Sequence, residues 1–415
     1  MKIEIVEKWK LSVGKSPAEH GVYKLGYLWL APTFRNAFWK VDPENGKVVR
    51  KFVMPDNVWG APWVEKERII GASLGGYIRC FNQEGDILWT VNPKLGNFIS
   101  ESITEAWEKY VAVQFSKGVA IVRKDNGEIV WTRKWKPEGA SGQEPTFDSE
   151  ERLLWVCKPI QEDNLVAYKE DGDVIASFTL PDLPVNYACP QIWDKYLIVI
   201  CNKYVVVIDR VRKKKLWEKY FGEVEYGGEM CNALRGGPRV ITPDGKLIVW
   251  TADGVFLCFD LKTGDEIWRL DLARRGYASS KCTAIWGYAG GTAADGLFIV
   301  LGRNNLPEKS GTPYDINKNR LFIISYKNGD IVSVSEPKYR MACCCKPIVA
   351  KGKVIIGSWY KDKEGKTYES FYYCWEIRSS SSIWQPLDRT YEWLGGLHHG
   401  GYSSKCLLGV EYNAN

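Results

Sequence analysis

The sequence predicts an all-β fold, a single eight-bladed β-propeller of four-stranded antiparallel blades that spans residues 1–415 and is closed by the two chain termini. Two observations carry this prediction. A pattern of strand, turn and strand recurs eight times along the chain, at about the spacing of one propeller blade. The 19 Trp, 22 Tyr and 39 Gly favour β-strands joined by tight turns.

Each copy of the repeat places a turn between two strands whose apolar residues alternate. Glycine occupies six of the eight turns, where it supplies the positive φ that tight hairpins need. Consecutive turns lie from 39 residues apart, between Gly46 and Gly85, to 65 apart, between Gly264 and Gly329, so the longer gaps hold insertions. The eight copies span 38–52, 78–91, 119–134, 165–180, 205–220, 255–270, 321–335 and 372–387. The turns without glycine lie at 212–213 and 379–380.

A second element precedes each hairpin and completes the blade. It consists of a small residue or proline, a polar turn and a strongly apolar strand. Together with the hairpin it gives four antiparallel strands per repeat, which is the content of one propeller blade. Clear examples lie at 61–73, 144–157, 189–201 and 346–358.

A tryptophan stands four positions after the turn in five of the eight copies. The pattern of apolar strand, turn and tryptophan on the outer strand resembles the repeat of the pyrroloquinoline-quinone (PQQ) propellers, whose architecture is similar to that of WD40 propellers. The resemblance implies that each tryptophan docks on the next blade and has a structural role. Arg50, Ala176 and Ser333 take this position in the other copies. The five tryptophans are Trp89, Trp131, Trp217, Trp268 and Trp384.

The two ends of the chain carry partial repeats. Residues 2–11 have the pattern of an outer strand, with Trp9 at the docking position, and residues 401–412 resemble the start of an innermost strand. A ring leaves no free sheet edge, and a blade that takes strands from both chain ends closes it. We therefore expect the strands at 2–11 and 401–412 to meet and close the ring.

The charge of the chain is nearly balanced, with 56 basic and 50 acidic residues and a net charge of +6. A surface that binds nucleic acid usually shows a concentrated basic excess, so no nucleic acid partner is predicted. The one basic cluster, Arg210 with residues 212–215, falls on a hairpin tip and is interpreted as a solvated charge run.

The sequence also bears on location. No window contains the roughly 18 consecutive apolar residues of a membrane span, so none is predicted. Residues 1–15 lack the apolar core of a secretory signal, and the expected location is the cytoplasm, with a virion or cell surface as the alternative. A Lys- and Glu-rich composition with 3 His and 4 Met also suits a thermostable protein.

The chain is cysteine-rich, with 12 Cys, but it has no paired CxxC spacing of a zinc site. Seven cysteines fall at or near the start of predicted innermost strands, where crowded sheets require small apolar residues. Packing explains this pattern. The alternative is a thiol cluster at the channel mouth that binds a soft metal or forms disulfides between blades. The seven are Cys189, Cys231, Cys282, Cys343, Cys344, Cys345 and Cys406.

The three histidines, His20, His398 and His399, lie near the two chain ends. The sequence HGVY at 20–23 is similar to HGGY at 399–402, so closure of the ring would bring the imidazoles together. Two or three imidazoles can ligate a transition metal or serve as a general base. The other interpretation is turn histidines beside glycines, because no carboxylate at a recognisable spacing completes a site.

The family that the repeat resembles also contains quinoprotein dehydrogenases, which hold PQQ and Ca²⁺ on the propeller axis. The adjacent Cys343, Cys344 and Cys345 are similar to the vicinal disulfide that covers PQQ in those enzymes, but the family carries its pair in an early blade and this triplet is in the last. No calcium-ligand set of Glu, Asn and Asp, and no catalytic Asp, matches a motif of this sequence. We predict no catalytic residue and no cofactor, with PQQ and Ca²⁺ as the open alternative.

These observations favour a non-catalytic propeller that serves as a scaffold for protein–protein interaction or assembly. Partners are expected on the propeller faces and on the insertion loop 303–320, which is polar and rich in turn residues. Two alternatives stay open: a PQQ-dependent, quinoprotein-like oxidoreductase, and a structural surface component of a virion or filament. The fold alone does not decide between them.

Overall fold

The computed structural model is built of β-strands, apart from one 3-10 turn at Ala273–Arg275 among the residues that it describes. These residues are 3–98, 100, 102–136, 144–184, 189–226, 229–234, 239–275, 292–294, 297–303, 319–334, 347–350, 353–358 and 369–379. The first strand is β1 (Ile3–Gly14). Its partner strand lies near the other end of the described chain.

The next sixteen strands form four sheets, each made of four consecutive antiparallel strands. Blade 1 contains β2 (Ala18–Lys24), β3 (Tyr27–Pro32), β4 (Ala37–Val41) and β5 (Val48–Val53). Blade 2 contains β6 (Trp63–Val64), β7 (Ile69–Ala72), β8 (Ile78–Phe81) and β9 (Ile87–Val91). Blade 3 contains β10 (Thr104–Ala106), β11 (Tyr110–Phe115), β12 (Gly118–Arg123) and β13 (Ile129–Lys134). Blade 4 contains β14 (Thr146–Asp148), β15 (Leu153–Cys157), β16 (Leu165–Tyr168) and β17 (Val174–Phe178).

Three further blades follow, with a separate two-stranded hairpin between the first two of them. Blade 5 contains β18 (Gln191–Trp193), β19 (Tyr196–Ile200), β20 (Tyr204–Asp209) and β21 (Lys214–Tyr220). The hairpin consists of β22 (Glu223–Tyr226) and β23 (Glu229–Asn232). Blade 6 contains β24 (Arg239–Ile241), β25 (Lys246–Trp250), β26 (Val255–Asp260) and β27 (Glu266–Asp271). Blade 7 contains β28 (Thr292–Ala294), β29 (Leu297–Arg303), β30 (Asn319–Ser325) and β31 (Ile331–Val334).

The last four-stranded sheet is composite. Its inner strands are β32 (Ile348–Ala350), β33 (Lys353–Gly357) and β34 (Ser370–Ser379). Its outer strand is β1, which pairs with β34 along its whole length, from Ile3 opposite Ser379 to Gly14 opposite Ser370. The N-terminal strand therefore completes a sheet that the C-terminal part of the described chain begins.

The sequence predicts that eight successive repeats form eight blades, and this number of blades is wrong. In the described part of the chain seven blades are complete repeats, and the composite sheet joins the ring with a borrowed strand. The sequence predicts an eighth hairpin over 372–387, but β34 pairs with β1 as its outer neighbour. The turn at 379–380 has no glycine to supply positive φ, whereas β1 offers a long strand with Trp9 at the docking position. The expected strand at 401–412 lies outside the described residues.

Apolar clusters between neighbouring sheets hold the ring together. At the joint between blades 3 and 4, Ile121, Trp131 and Leu154 belong to one cluster of buried residues. The composite sheet shares a cluster with blade 1 on one side and another with blade 7 on the other. The core therefore consists of a series of joints between sheets, as a ring of blades requires.

The first strand of each blade lies nearest the axis. Contacts join β2 to β32, β10 to β14 and β14 to β18, which is the arrangement of innermost strands. Because neighbouring strands are antiparallel, the turns after the first and third strands lie at the same end of every blade. We call this end of the ring the turn face, and the end where one blade connects to the next the connection face.

Candidate functional site

Tryptophans on outer strands dock on the next sheet at five of the described joints. In each case the indole N–H donates a hydrogen bond to a backbone carbonyl near the receiving turn, with N···O distances of 2.8 to 3.0 Å. Trp9 has this position in the composite sheet, while Trp384 lies outside the described residues. The donor and acceptor pairs are Trp9–Pro43, Trp89–Lys124, Trp131–Glu170, Trp217–Leu261 and Trp268–Tyr326.

The turn glycine provides both the backbone conformation and the space for the docked ring. Gly127 has a φ of 77°, and a Cβ placed on it would lie 2.7 Å from the ring of Trp89. A Cβ on Gly329, whose φ is 76°, would lie 2.6 Å from the ring of Trp268. A side chain at these turns would displace the indole, so turn and tryptophan form one structural unit.

Three joints lack the tryptophan. Between blades 1 and 2, the Arg50 guanidinium donates a hydrogen bond to the Glu84 carbonyl at the receiving turn. Between blades 4 and 5, Ala176 stands at the docking position, and between blade 7 and the composite sheet Ser333 does. Arg50 therefore imitates the hydrogen bond of an indole, whereas the side chain of Ala176 contains no donor.

A buried ion pair joins blades 4 and 5. Arg210, which follows β20, is fully buried, and its Nη1 lies 2.8 Å from both carboxylate oxygens of Asp148. Its Nε donates to the Asp194 carbonyl at 2.7 Å, and its Nη2 donates to the Glu150 carboxylate. The interpretation of the basic cluster as solvated is therefore wrong for Arg210, while the Arg212 side chain is 79% exposed. A buried guanidinium needs such a set of acceptors.

An open cavity of about 700 Å³ lies on the turn face over blade 4. Trp107 and Tyr110 of blade 3 line one side, and Lys213 of blade 5 lines the other. The turns of blade 4 at 151–153 and 169–171 lie between them. The cavity is therefore built by three successive blades.

Aliphatic and charged groups alternate around this cavity. Val130 and Ile175, on the outer strands of blades 3 and 4, are 39% and 38% exposed. Lys213 Nζ lies 3.6 Å from a Glu151 carboxylate oxygen, so blades 4 and 5 face each other through an ion pair at the rim. Such partly exposed pairs contribute little to stability, and this one places charges of both signs at the rim of the cavity.

The aromatic side of the cavity is fixed in position. The Trp107 indole donates a hydrogen bond to the Arg152 carbonyl of blade 4 at 3.0 Å. Burial, and then the charge and hydrogen bond of Glu170, raise the pKa of the Tyr110 phenol. Tyr110 therefore keeps its proton at neutral pH, and its hydroxyl donates to the Glu170 carboxylate.

Of the predicted histidine site, only His20 lies within the described residues. It lies on β2, is largely buried, and its ring centroid is 6.2 Å from that of Trp59. Its carbonyl accepts a hydrogen bond of 2.8 Å from the Tyr372 hydroxyl, which links blade 1 to the composite sheet. The expected partners His398 and His399 lie outside the described residues.

Two members of the predicted thiol cluster, Cys189 and Cys231, lie within the described residues, and both are half-buried. Cys189 Sγ lies 3.1 Å from Nη2 of Arg239, which also donates to the Cys189 carbonyl at 2.7 Å. Cys231 lies on β23 of the separate hairpin. The other five, Cys282, Cys343, Cys344, Cys345 and Cys406, lie outside the described residues.

Cysteines that the sequence analysis did not single out lie in the joints between sheets. Burial raises the pKa of three such thiols to about 12, so they are protonated packing residues at neutral pH. These three are Cys80, Cys258 and Cys374. Within the described residues, no group of three or more His, Cys, Asp or Glu is placed to hold a metal ion.

The innermost strands carry buried polar side chains near the connection face, which the sequence analysis missed. Glu19, Glu144 and Arg239 are 5%, 3% and 4% exposed and lie at or beside the starts of β2, β14 and β24. The Thr104 hydroxyl donates to the Pro145 carbonyl at 2.6 Å, which ties the innermost strands of blades 3 and 4 together. A comparison of the first residues of each repeat would have revealed this polar region.

The remaining predicted contact region is the insertion loop 303–320. Arg303 ends β29 and Asn319 begins β30, and residues 304–318 lie outside the described part of the chain. As for the membrane, none of the segments that the structure describes is a helix of the length and apolar character needed to cross it.

Comparison with known proteins supports the architecture. Residues 7–145 match the family model described as outer membrane protein assembly factor BamB. The crystal structure of BamB from Moraxella catarrhalis matches 90% of this chain and 100% of its own, with a TM-score of 0.62 and 11% sequence identity, which is a likeness of fold. No curated protein matches the chain by sequence.

Proposed function

Because the chain is a propeller of PQQ-like repeats, we propose that it acts as a non-catalytic scaffold that binds another protein at the turn-face cavity. The partner contacts blades 3, 4 and 5 together. The scaffold needs no cofactor for this role, and we place it in the cytoplasm. Cell fractionation with an antibody against the protein tests the location.

The cavity is the observation that carries this proposal. It is open to solvent, about 700 Å³ in volume, and bordered by exposed aliphatic side chains and paired charges. Sites for small molecules are usually enclosed and mostly apolar, whereas protein interfaces combine an apolar centre with a polar rim. Val130 and Ile175 supply the apolar part, and Glu151 with Lys213 supplies part of the rim.

The comparisons support the same proposal. The family model that matches residues 7–145 is described as an outer membrane protein assembly factor, and a role in assembly agrees with a scaffold that binds another protein. A rigid ring suits this role because its turns hold recognition residues in fixed positions.

Site-specific photo-crosslinking in the cells that produce the protein tests the proposal. p-Benzoylphenylalanine replaces Val130 at the cavity or, as the matched control, Ile267 on blade 6. Both residues stand three positions after a turn glycine, and their exposed fractions are 39% and 44%. We expect the Val130 position to form a discrete adduct with one other polypeptide. A Val130 position without an adduct, or with the same adducts as the Ile267 position, would contradict the proposal.

A further inference from the structure

The turn after the third strand of blade 5 differs from the corresponding turns of the other six blades. Two positions before the turn glycine, those blades carry a polar side chain, whereas blade 5 carries Val211 two positions before Lys213. The residue after the turn position is acidic in five of the six, and in blade 5 it is Lys214. The six polar residues are Glu44, Gln83, Asp125, Glu170, Lys262 and Lys327. Blade 5 therefore combines an aliphatic side chain with a run of cations on the turn face.

We call residues 211–216 the basic turn, and most of its side chains are exposed. Val211 and Leu216, at its two ends, are 46% and 41% exposed. The side chains of Arg212 and Lys215 are 79% and 52% exposed. Apolar groups beside polar ones are the combination from which protein interfaces are built.

The backbone of the basic turn is held in place from below. The buried Asp209 carboxylate accepts hydrogen bonds from the backbone N–H groups of Val211 and Arg212, at 3.1 and 2.8 Å. The Lys213 ammonium donates to the Val211 carbonyl at 3.2 Å and lies 3.6 Å from a Glu151 carboxylate oxygen, so this lysine serves the turn itself. A turn fixed in this way loses little conformational freedom when a ligand binds.

The neighbouring turns restrict where an acidic segment can lie. The basic turn carries four cations, whereas the turn at 169–173 of blade 4 carries one lysine and three carboxylates, a net charge of −2. The turn at 261–265 of blade 6 has one charge of each sign. Carboxylates of a partner are therefore attracted to blade 5 and repelled by blade 4. Lys213 also lines the turn-face cavity, so the basic turn is continuous with the proposed interface.

A nucleic acid strand matches this surface less well than a peptide does. Phosphates follow one another along a nucleic acid backbone, and a strand longer than the basic turn would meet the carboxylates at 169–173 or Glu218. Single strands also stack their bases on aromatic side chains, whereas Val211 and Leu216 are aliphatic. Charge and side-chain type together favour a short segment of protein.

We propose that the basic turn binds a short acidic segment of the partner protein, in which Asp or Glu residues flank an apolar side chain. The inference rests on the proposed scaffold function and names the chemistry of the partner. The carboxylates of the segment pair with Arg212, Lys214 and Lys215. Its apolar side chain packs against Val211.

Three fluorescein-labelled, C-terminally amidated peptides test the proposal by fluorescence polarisation with the full chain at low salt. DEDLFEDE combines carboxylates with apolar residues, DEDSSEDE carries serine in place of the apolar pair, and KRKLFKRK reverses the charge. We expect DEDLFEDE to bind about tenfold more tightly than KRKLFKRK and about threefold more tightly than DEDSSEDE. Its affinity should fall as salt is added.

Two double variants with the same loss of charge locate the site. Arg212→Ser with Lys215→Ser acts on the basic turn, and Arg269→Ser with Arg274→Ser acts on blade 6 and the 3-10 turn after it. All four side chains are more than half exposed, and each lies within 4.0 Å of a carboxylate three residues away. We expect the first variant to weaken binding of DEDLFEDE about tenfold and the second to stay within about twofold of the wild type.

Val211→Ser tests the apolar contact. Val49→Ser on blade 1 is its matched control, since the two valines are 46% and 50% exposed. We expect Val211→Ser to weaken binding of DEDLFEDE about threefold, to leave binding of DEDSSEDE unchanged, and to keep the circular dichroism spectrum of the wild type. Val49→Ser should bind both peptides as the wild type does.

The outcomes separate this inference from the scaffold proposal. No binding of DEDLFEDE, equal affinity for DEDLFEDE and KRKLFKRK, or equal losses in the two double variants overturns the inference, because binding then does not depend on the basic turn. Tighter binding of fluorescein-labelled oligothymidylate, lost in the Arg212 and Lys215 variant, also overturns it and indicates a nucleic acid site. The scaffold proposal survives these results if crosslinks at the Val130 position persist. Peptide binding at the basic turn without any crosslink at Val130 supports the inference and contradicts the scaffold proposal.

Discussion

The joints on the two sides of blade 4 solve the same packing problem with different chemistry. On one side Trp131 docks at Gly172 and needs a single acceptor for its N–H. On the other side Arg210 and Asp148 form a buried ion pair. An indole is stabilised mainly by burial, whereas a buried ion pair depends on both partners, since a charge left alone is strongly destabilising. The comparison shows that the geometry of a repeat fold is kept when one joint uses a buried ion pair in place of a docked tryptophan.

Removal of one charge from the ionic joint should have the largest effect. We expect Arg210→Ala to lower the free energy of unfolding by about 3–5 kcal/mol, because Asp148 is left buried without its partner. Urea unfolding followed by circular dichroism measures the change. The double variant Arg210→Met with Asp148→Leu removes both charges and is expected to recover most of the loss. A loss below about 1 kcal/mol for Arg210→Ala would show that the pair does not hold the joint.

Truncation of the docked ring should have the next largest effect. Trp131→Ala removes a largely buried indole and its hydrogen bond. We expect this variant to lower the free energy of unfolding by about 3 kcal/mol in the same urea titration. Trp131→Phe keeps a ring but loses the N–H donor and is expected to cost about 1–1.5 kcal/mol. If the two variants lose the same stability, the hydrogen bond rather than burial holds this joint.

The receiving turns of blades 3 and 5 should differ in how strongly a change of side chain affects stability. Gly127→Ala places a Cβ 2.7 Å from the Trp89 ring at a φ of 77°, and we expect it to cost about 2 kcal/mol. Lys213→Gly removes the strain of a left-handed residue with a side chain, at a turn that receives no docked tryptophan. The free energy of unfolding of this variant should stay within about 1 kcal/mol of the wild type. Thermal melting of the two variants compares them directly. A strong loss in Lys213→Gly would mean that the Lys213 side chain itself fills the joint.

Local patterns made much of the fold predictable. Alternating apolar strands, turn glycines such as Gly46, and Trp89 at a constant offset from the turn all arise from interactions within one repeat or with the next. The count of complete blades was not predictable in this way. The sequence around 372–387 contains a strand, but its outer neighbour is β1, which lies near the other end of the described chain and is not indicated by any local pattern.

The candidate site was less predictable than the fold. Arg210 belongs to a run of basic residues, and its partner Asp148 lies in another repeat, so charge patterning alone suggests a solvated side chain. The cavity depends on Trp107, Ile175 and Lys213, which come from three blades and share no motif. The signal that was available is Ala176, because a missing tryptophan in a regular repeat marks a joint that differs from its neighbours.

The pairing of β1 with β34 has a consequence for biosynthesis. The ribosome releases β1 before the other described strands, yet its partner strand, Ser370–Ser379, emerges only after all seven complete blades have been made. Until Ser370–Ser379 has emerged, β1 lacks the partner strand with which it pairs in the folded chain, and exposed strand edges are where chains associate wrongly. The ring therefore closes in a late step, and a ribosome that stalls before Ser370 leaves behind the whole arc unclosed.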